Sequence, residues 1–423
     1  MNFDRMREVI LDKAVRGELV SQLAEDGVVA QIGNTPKEEL FQIPKSWKWC
    51  SLNMVAQVIA GQSPKGTALT TDSNDTEFHQ GKTFFGRQYI QNSGAYTNEP
   101  TKIAPKESIL LSVRAPVGAV NLTDRKICIG RGLFAIVPND QLLVKFLYFV
   151  LLTKARELQS KSTGTTFKAV TGKVVRDLYV PVPPLKEQAR IVDKVSDALE
   201  EIDRAEKAYE ELQTLAGVLR GQILQEAIKG KLVPQLAEEG VVEHIGAAPD
   251  EVPFEIPESW QWVQLNRICT LKSGVDMSPS VLLNEPVVDS IPYITGGSQI
   301  GQSGELLITR WTSKATNISE KGDVLLICKG SGLGRTALNS YGSVHIARQI
   351  MAIRKTKEAI PQYLDLLLKW RLESLRSAAK GVIPGISRKD VLSLLVPLPP
   401  VTEQVRIVAK VDDLLKQVNA LSA

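Results

Sequence analysis

Four cysteines and three histidines are all that this chain of 423 residues carries. Cys50, Cys128, Cys269 and Cys328 lie far apart and form no CxxC pair. This excludes a zinc knuckle or a disulfide framework and fits a reducing cytoplasm. So few histidines leave no His-rich metal site. Apolar runs of about 18 residues or more are missing, so no transmembrane helix is expected. The opening MNFDRMREVI carries acids and no apolar stretch, so no signal peptide is read. Catalytic motifs are also missing. There is no GxxxxGK[ST] phosphate loop, no HExxH and no GxSxG. Asn284-Glu285-Pro286-Val287 is the wrong sequence for a methyltransferase-like [DN]PP[FY]. Gly330-Ser331-Gly332-Leu333-Gly334 lacks a strand–GxGxxG–helix setting and reads as a tight turn. No group of carboxylates with a lysine suggests a nuclease. A binding protein fits these absences better than an enzyme.

What is present describes an ordinary globular protein, 43% apolar and 23% charged. The length predicts two or three domains, each able to bury a core. The net charge of +4 is unevenly spread. Residues 41–180 hold 18 Lys and Arg against 9 Asp and Glu, and residues 254–396 hold 17 against 12. The remaining stretches, 1–40, 181–253 and 397–423, together hold 16 basic and 26 acidic residues. Two basic lobes thus alternate with acidic segments, and a basic lobe is the electrostatic footprint of a polyanion binder.

The chain repeats itself with a period of 213–216 residues. ILDKAVRGELVSQLAEDGVVAQIG at 10–33 recurs as ILQEAIKGKLVPQLAEEGVVEHIG at 223–246. FQIPKSWKWCSLN at 41–53 recurs as FEIPESWQWVQLN at 254–266, and VPVPPLKEQARIVDKV at 180–195 as VPLPPVTEQVRIVAKV at 396–411. Weaker matches pair ESILLSVRAPVG (107–118) with GDVLLICKGSGLG (322–334) and IGRGLFAI (129–136) with IARQIMAI (346–353). The central acidic segment is complete, whereas the two terminal ones each supply half of a second copy. This is a circularly arranged pseudo-dimer, for which an approximate two-fold axis is expected. Residues 62–105 and 275–320 show almost no identity, so the lobes are expected to bind related but different things.

The acidic segments read as helices. After Pro183-Pro184, a helix from about Leu185 to Gly230 carries apolar residues at Ile191, Val195, Ala198, Ile202, Ala205, Tyr209, Leu212, Ala216, Leu219 and Ile223. This 4,3 spacing is a heptad seam. Gly217 is a place where it could bend. The seam continues at Ile407, Val411, Leu414, Val418 and Leu421, and at Phe3, Met6 and Ile10. An exposed single helix is unstable in water. The central helix is therefore expected to pack antiparallel on the terminal ones, with three separate helices in a globular core as the alternative.

Each lobe opens with IPxSWxW, where Trp47 and Trp49, or Trp260 and Trp262, share one strand face as core anchors. ESILLSV, GDVLLIC, GLFAIVP and QIMAIRK read as buried strands, and a helix follows in each lobe. The fold class expected is α+β: two pseudo-symmetric globular lobes joined by long antiparallel coiled-coil helices. DNA contacts need Lys or Arg for phosphates, and Arg, Lys, Asn, Gln, Ser or Thr for base edges, at the tips of loops or strands. Beside turn signals stand Arg87, Gln88, Arg114, Arg131 and Lys168 in lobe one. Lobe two offers Gln299, Lys329, Arg335, Arg348, Arg388 and Lys389. Arg114 and Lys329 occupy matching places in the repeat, as do Arg131 and Arg348.

Two divergent lobes, the duplicated heptad spacer, PPLKEQARIV and PPVTEQVRIV after the lobes, and the LDKAVRGEL and LQEAIKGKL blocks together resemble the specificity subunit of Type I restriction–modification systems. The resemblance spans nearly the whole chain. LLSVRAPVG is similar to a strand-turn common in that family's target recognition domains, and LLICKGSGLG in lobe two departs from it. The resemblance implies target recognition domains at 41–180 and 254–396, a central conserved spacer at 181–253, and terminal spacer helices at 1–40 and 397–423. Each domain would read one half of a split double-stranded DNA target. The spacer would set the gap and dock two methyltransferase subunits, and two restriction subunits would complete the complex. S-adenosylmethionine, ATP and Mg would belong to those partners, with no cofactor in this chain and a cytoplasmic location. A competing reading is a duplicated coiled-coil scaffold that binds proteins and no nucleic acid. The acidic helix suits a scaffold and the basic lobes do not.

Overall fold

The computed structural model describes residues 1–33, 36, 41–162, 169–246, 249, 251–301, 304–330, 332–372, 375–376 and 385–421. The chain divides into two units, Met1–Ala208 and Tyr209–Ala423. No helix among the described residues is long and apolar enough to cross a membrane.

Unit 1 begins with helix α1 (Phe3–Arg16), where the Asn2 side chain accepts the Arg5 N–H and left-handed Gly17 closes the C-terminus. Its strands are β1 (Lys48–Ser51), β2 (Ala56–Ala60), β3 (Leu69–Thr70), β4 (Thr76–His79), β5 (Tyr96–Thr97), β6 (Ile103–Ala104), β7 (Ile109–Ser112), β8 (Val120–Leu122), β9 (Ile127–Ile129), β10 (Leu133–Pro138) and β11 (Tyr179–Val182). Short helices α2 (Leu52–Val55), α3 (Val144–Thr153), α4 (Ala155–Ser160) and α5 (Gly172–Arg176) pack beside them. The central sheet has the order β2-β10-β7-β8, and a second sheet the order β3-β5-β4-β9-β6. Side chains alternate along a strand, and here both faces of the central sheet are apolar. Ile109, Leu111, Phe134 and Ile136 join the main core with α3, whereas Leu110, Leu133 and Ala135 meet Ile127 and Ile129 of the second sheet. Among the helices, α3 contributes Phe146, which meets buried Trp47 edge-on at 6.2 Å.

Unit 2 repeats the plan with β12 (Gln261–Gln264), β13 (Cys269–Ser273), β14 (Ile291–Ile294), β15 (Trp311–Thr312), β16 (Ile318–Ser319), β17 (Val324–Ile327), β18 (Thr336–Leu338), β19 (Val344–Ile346), β20 (Ile350–Lys355) and β21 (Leu395–Leu398). Its central sheet is β13-β20-β17-β18, and its second sheet is β15-β14-β19-β16. Val324 and Leu326 face one core and Leu325 and Ile327 the other. The parallel pair β4·β9 of unit 1 has its counterpart in β14·β19. Divergent sequences at 62–105 and 275–320 therefore build second sheets that share a four-strand order, to which unit 1 adds β3.

The long helix α6 (Leu185–Ile228) runs 44 residues without a break at Gly217. In unit 1, Arg7 of α1 bonds Asp203, while Arg190 bonds Asp26, so α1 with its following segment runs antiparallel to α6. Unit 2 holds α7 (Pro361–Trp370), α8 (Arg388–Leu392) and α9 (Val401–Leu421). There Arg220 bonds Asn419 and Arg406 bonds Glu239, again antiparallel. Of the seam residues, Ile191, Val195, Ala216, Ile223, Ile407, Val411 and Val418 are buried, and Ile202, Tyr209 and Leu414 are half-buried. Leu212 and Leu219 depart from the expectation and are exposed, as are Met6 and Leu421. In unit 2 Asn419, near the end of α9, bonds Arg220 of α6, and Leu212 lies about two turns of α6 further on.

The repeated EQxR sequence bolts helix to lobe twice over. Buried Gln188 accepts the N–H of Leu143, at the start of α3, and donates to the carbonyls of Gln141 and Pro183. Gln404 does the same with Ile360, Glu358 and Pro399. Glu403 accepts from Trp260 Nε1 at 2.8 Å and from Gln235 at 2.6 Å, and Glu187 accepts from Gln22 at 2.5 Å. Burial pushes both carboxyls above their ordinary range, against the pull of these donors.

Candidate nucleic-acid interface

One corner of each lobe gathers cations from separate stretches of chain. Strand β7 is followed by Val113, whose N–H bonds the carbonyl of Gly132 and whose carbonyl accepts from Val170. Arg114 follows, bridged to Ala169 and exposed. In lobe two, Cys328 after β17 bonds the carbonyl of Gln349 and accepts from Ile386, and exposed Lys329 is bridged to Gly385. Arg114 and Lys329 therefore hold equivalent positions.

Beside them, the turns after β9 and β19 present Arg131 and Arg348, both exposed. The Arg131 N–H donates to Ser63 Oγ at 3.5 Å, and the Arg348 N–H to Asp276 Oδ1 at 3.2 Å. Ser63 and Asp276 sit at one place of the repeat, two residues after Gly61 and Gly274. A Cβ on Gly61 would overlap the Gly130 carbonyl and stand 2.6 Å from that of Leu133, so this close approach needs glycine. Arg348 is not a bare charge, since its Nε pairs with Asp276 at 2.8 Å. In lobe two, Arg388 and Lys389 open α8 and are exposed. Ser387 caps that helix in a reciprocal box with Asp390.

Beneath the lobe-one corner lies a buried ion group. Arg125 donates to Glu77 at 2.6 and 2.9 Å, and His79 Nε2 lies 2.8 Å from the same carboxylate. Burial raises Glu77, but Arg125, the Ser93 N–H and His79 outweigh it and bring the carboxyl down to about 2. Burial holds His79 below its ordinary value, so it is neutral at physiological pH.

Several expected DNA contacts lie elsewhere. Gln299 is buried, and its carboxamide is used on Thr295, Tyr293 and Thr309. It builds its own loop and has nothing left for a base. Arg335 is half-buried and donates to the carbonyls of Gly297 and Ile300, tying that loop down. Arg87 points at the helices of its unit, where it pairs with Asp203, and half-buried Gln88 lines the same cleft. Lys168 lies outside the described residues. Sequence reading passed over exposed Lys65, Lys102 and Gln80 near the lobe-one corner. Lys102 is placed by its carbonyl, which accepts from Ile129. Only the sheet pairing reveals these neighbours, because they lie in the non-repeating stretch.

Two α+β lobes on repeated helical bases, each with an exposed cationic corner and unlike loops, define a duplicated nucleic-acid recognition protein. The model of the family described as Type I restriction modification DNA specificity domain matches residues 44–214 and 257–423, and this chain belongs to that family. It is 37% identical over 203 residues to the putative type I restriction enzyme MjaX specificity subunit of Methanocaldococcus jannaschii, covering 47% of each chain. The match thus spans about half the length of that relative. The type I restriction enzyme MjaIX specificity subunit of the same organism is 26% identical, over 86% of this chain and 85% of the other. A chain in a solved type I R-M system shares the fold with a TM-score of 0.71 and 22% identity, over 90% of this chain and 93% of that one.

Proposed function

We propose that this chain is the non-catalytic sequence-reading subunit of a Type I restriction–modification complex. Each lobe reads one half of a bipartite, asymmetric double-stranded DNA target. The observation that carries this reading is the repeated corner: Arg114 with Arg131, and Lys329 with Arg348, stand on the same backbone frame but among different loops. The shared frame presents cations to phosphates or base edges, and the unlike head groups and loops supply different base contacts. The duplicated helical segments dock two methyltransferase subunits and two restriction subunits, and S-adenosylmethionine, ATP and Mg reside on those partners. A cytoplasmic location follows from the same role.

The test is binding of the full chain, alone and with its methyltransferase partner, to duplex DNA across a salt series. Log affinity is expected to fall linearly with log salt, as for a protein that neutralises several phosphates. Arg114→Ala is expected to weaken reading of one half-site only, and Lys329→Ala the other. No binding to duplex at low salt, or equal loss on both halves, refutes the assignment.

A further inference from the structure

We propose that Gln80 and Gln349 each read an adenine, one in each lobe. The inference rests on the reading of the lobes as DNA-binding domains and assigns base-specific contacts within them. The parallel pairs place His79 opposite Ile129 and Ile294 opposite Ile346. The loops that leave these strands therefore face each other in the same way in both lobes. In lobe one, Gln80-Gly81 faces Gly130-Arg131-Gly132. In lobe two, Thr295-Gly296 faces Ala347-Arg348-Gln349.

The glutamine has changed sides. Lobe one carries it on the first loop and glycines on the second, and lobe two carries it on the second loop with a glycine on the first. Each glutamine uses the room the glycine leaves. A Cβ on Gly130 would stand 2.5 Å from Gln80 Oε1, and one on Gly296 would stand 2.5 Å from Gln349 Oε1. Both carboxamides thus end up beside the matched arginine. The strand-end cations lie close by as well. Val113, just before Arg114, bonds the Gly132 carbonyl, and Gly330, just after Lys329, lies near Gln349 Oε1.

Both carboxamides have unused hydrogen-bonding capacity. Gln80 is exposed and Ser63 Oγ donates to its Oε1 at 2.8 Å, which orients the group and leaves the second lone pair and the Nε2 donors free. The Gln349 side chain is half-buried and has no hydrogen bond among the described residues. A carboxamide offers one acceptor and one donor side by side. That matches N6 and N7 of adenine in the major groove, whereas the neighbouring arginine matches guanine or a phosphate.

The test is selection of bound duplexes from a library with a randomised central segment, using the full chain with its methyltransferase partner. Wild type is expected to yield a two-part consensus. Gln80→Leu is expected to lose preference at one A·T pair of one half, by roughly ten- to hundredfold, and to leave the other half untouched. Gln349→Leu does the converse. Gln80→Glu is expected to move that preference from A·T to C·G, because a carboxylate accepts from cytosine N4. In the two leucine variants overall affinity for random duplex at low salt and the salt slope stay at wild-type values, because no charge changes and no phosphate contact is lost. An unchanged consensus in both leucine variants, or relaxation at a G·C pair instead, overturns the proposal while the DNA-reading function stands. A wild-type library without any consensus overturns both.

Discussion

Replacing Gln188 by alanine removes one bolt and leaves everything else in place. The carboxamide is fully buried and makes three hydrogen bonds, to the Leu143 N–H at 2.8 Å, the Gln141 carbonyl at 2.8 Å and the Pro183 carbonyl at 2.9 Å. Its loss strands a donor and an acceptor at the start of α3, where Leu143 supplies no side-chain cap, and a second acceptor just before α6. Each unsatisfied buried group costs about 1–3 kcal/mol, and partial entry of water lowers the sum, so about 3–4 kcal/mol is expected. Gln404→Ala breaks the same three bonds, at 2.9, 2.8 and 2.9 Å, and is expected to cost the same. Urea titration gives the total, and hydrogen exchange read by mass spectrometry locates it. Protection is expected to fall across 143–153 in the first variant and across 360–370 in the second. A loss below about 1 kcal/mol in either variant, or exchange that rises equally in both units, refutes the view of this motif as a local bolt.

The Glu77 group gives a pH signature. Its carboxyl falls from 4.5 to about 2 in the fold, so its stabilisation is complete above about pH 4.5 and is lost as the pH falls toward 2. That amounts to roughly 3 kcal/mol. Arg125→Met is expected to cost about 3 kcal/mol at neutral pH, by leaving the buried Glu77 carboxylate without its cation and held only by the Ser93 N–H and His79, and to flatten the acid limb of a stability-against-pH curve. Gly61→Ala is expected to cost about 2–3 kcal/mol, since the new methyl meets backbone carbonyls that cannot swing away. Gly66→Ala, whose Cβ meets nothing, is the control and is expected to change stability by less than about 0.5 kcal/mol in the same melts.

The helical bases were legible because their signals are long. Some forty residues of heptad spacing between Pro184 and Gly230 define α6, which spans Leu185–Ile228. The seam rule overreached at Leu212, because periodicity reports which face is apolar and not how far a partner helix extends, and at Leu219, which is exposed beside the Arg220–Asn419 contact. Buried strands β7 and β17 showed as the short apolar runs ILL at 109–111 and VLLI at 324–327. The second sheets did not show at all. Their strands are two to four residues long, too short for a period to register, and their likeness lies in backbone pairing. The cationic corner was half legible. Arg114, Arg131, Lys329 and Arg348 lie in repeated blocks. Gln299 and Arg335 stand beside the same kind of turn signal, yet the Gln299 carboxamide is consumed within the loop and Arg335 Nη1 is tied to its carbonyls. Turn chemistry alone cannot separate a side chain that builds a loop from one that projects from it.

That distinction explains how one fold can hold two readers. The central sheet is apolar on both faces, so two cores clamp β7 and β17 and fix where the chain leaves them. A residue at that exit is placed by the sheet and contributes little to holding it. The position can therefore change identity without loss of fold, as Arg114 against Lys329 shows. The change matters to the ligand: guanidinium is a planar fork suited to bidentate contact, and ammonium is a compact point charge. Two such exits with identical backbone support but different head groups favour different base pairs. A target that satisfies both is accordingly expected to be asymmetric, even though the scaffold that presents them is a repeat.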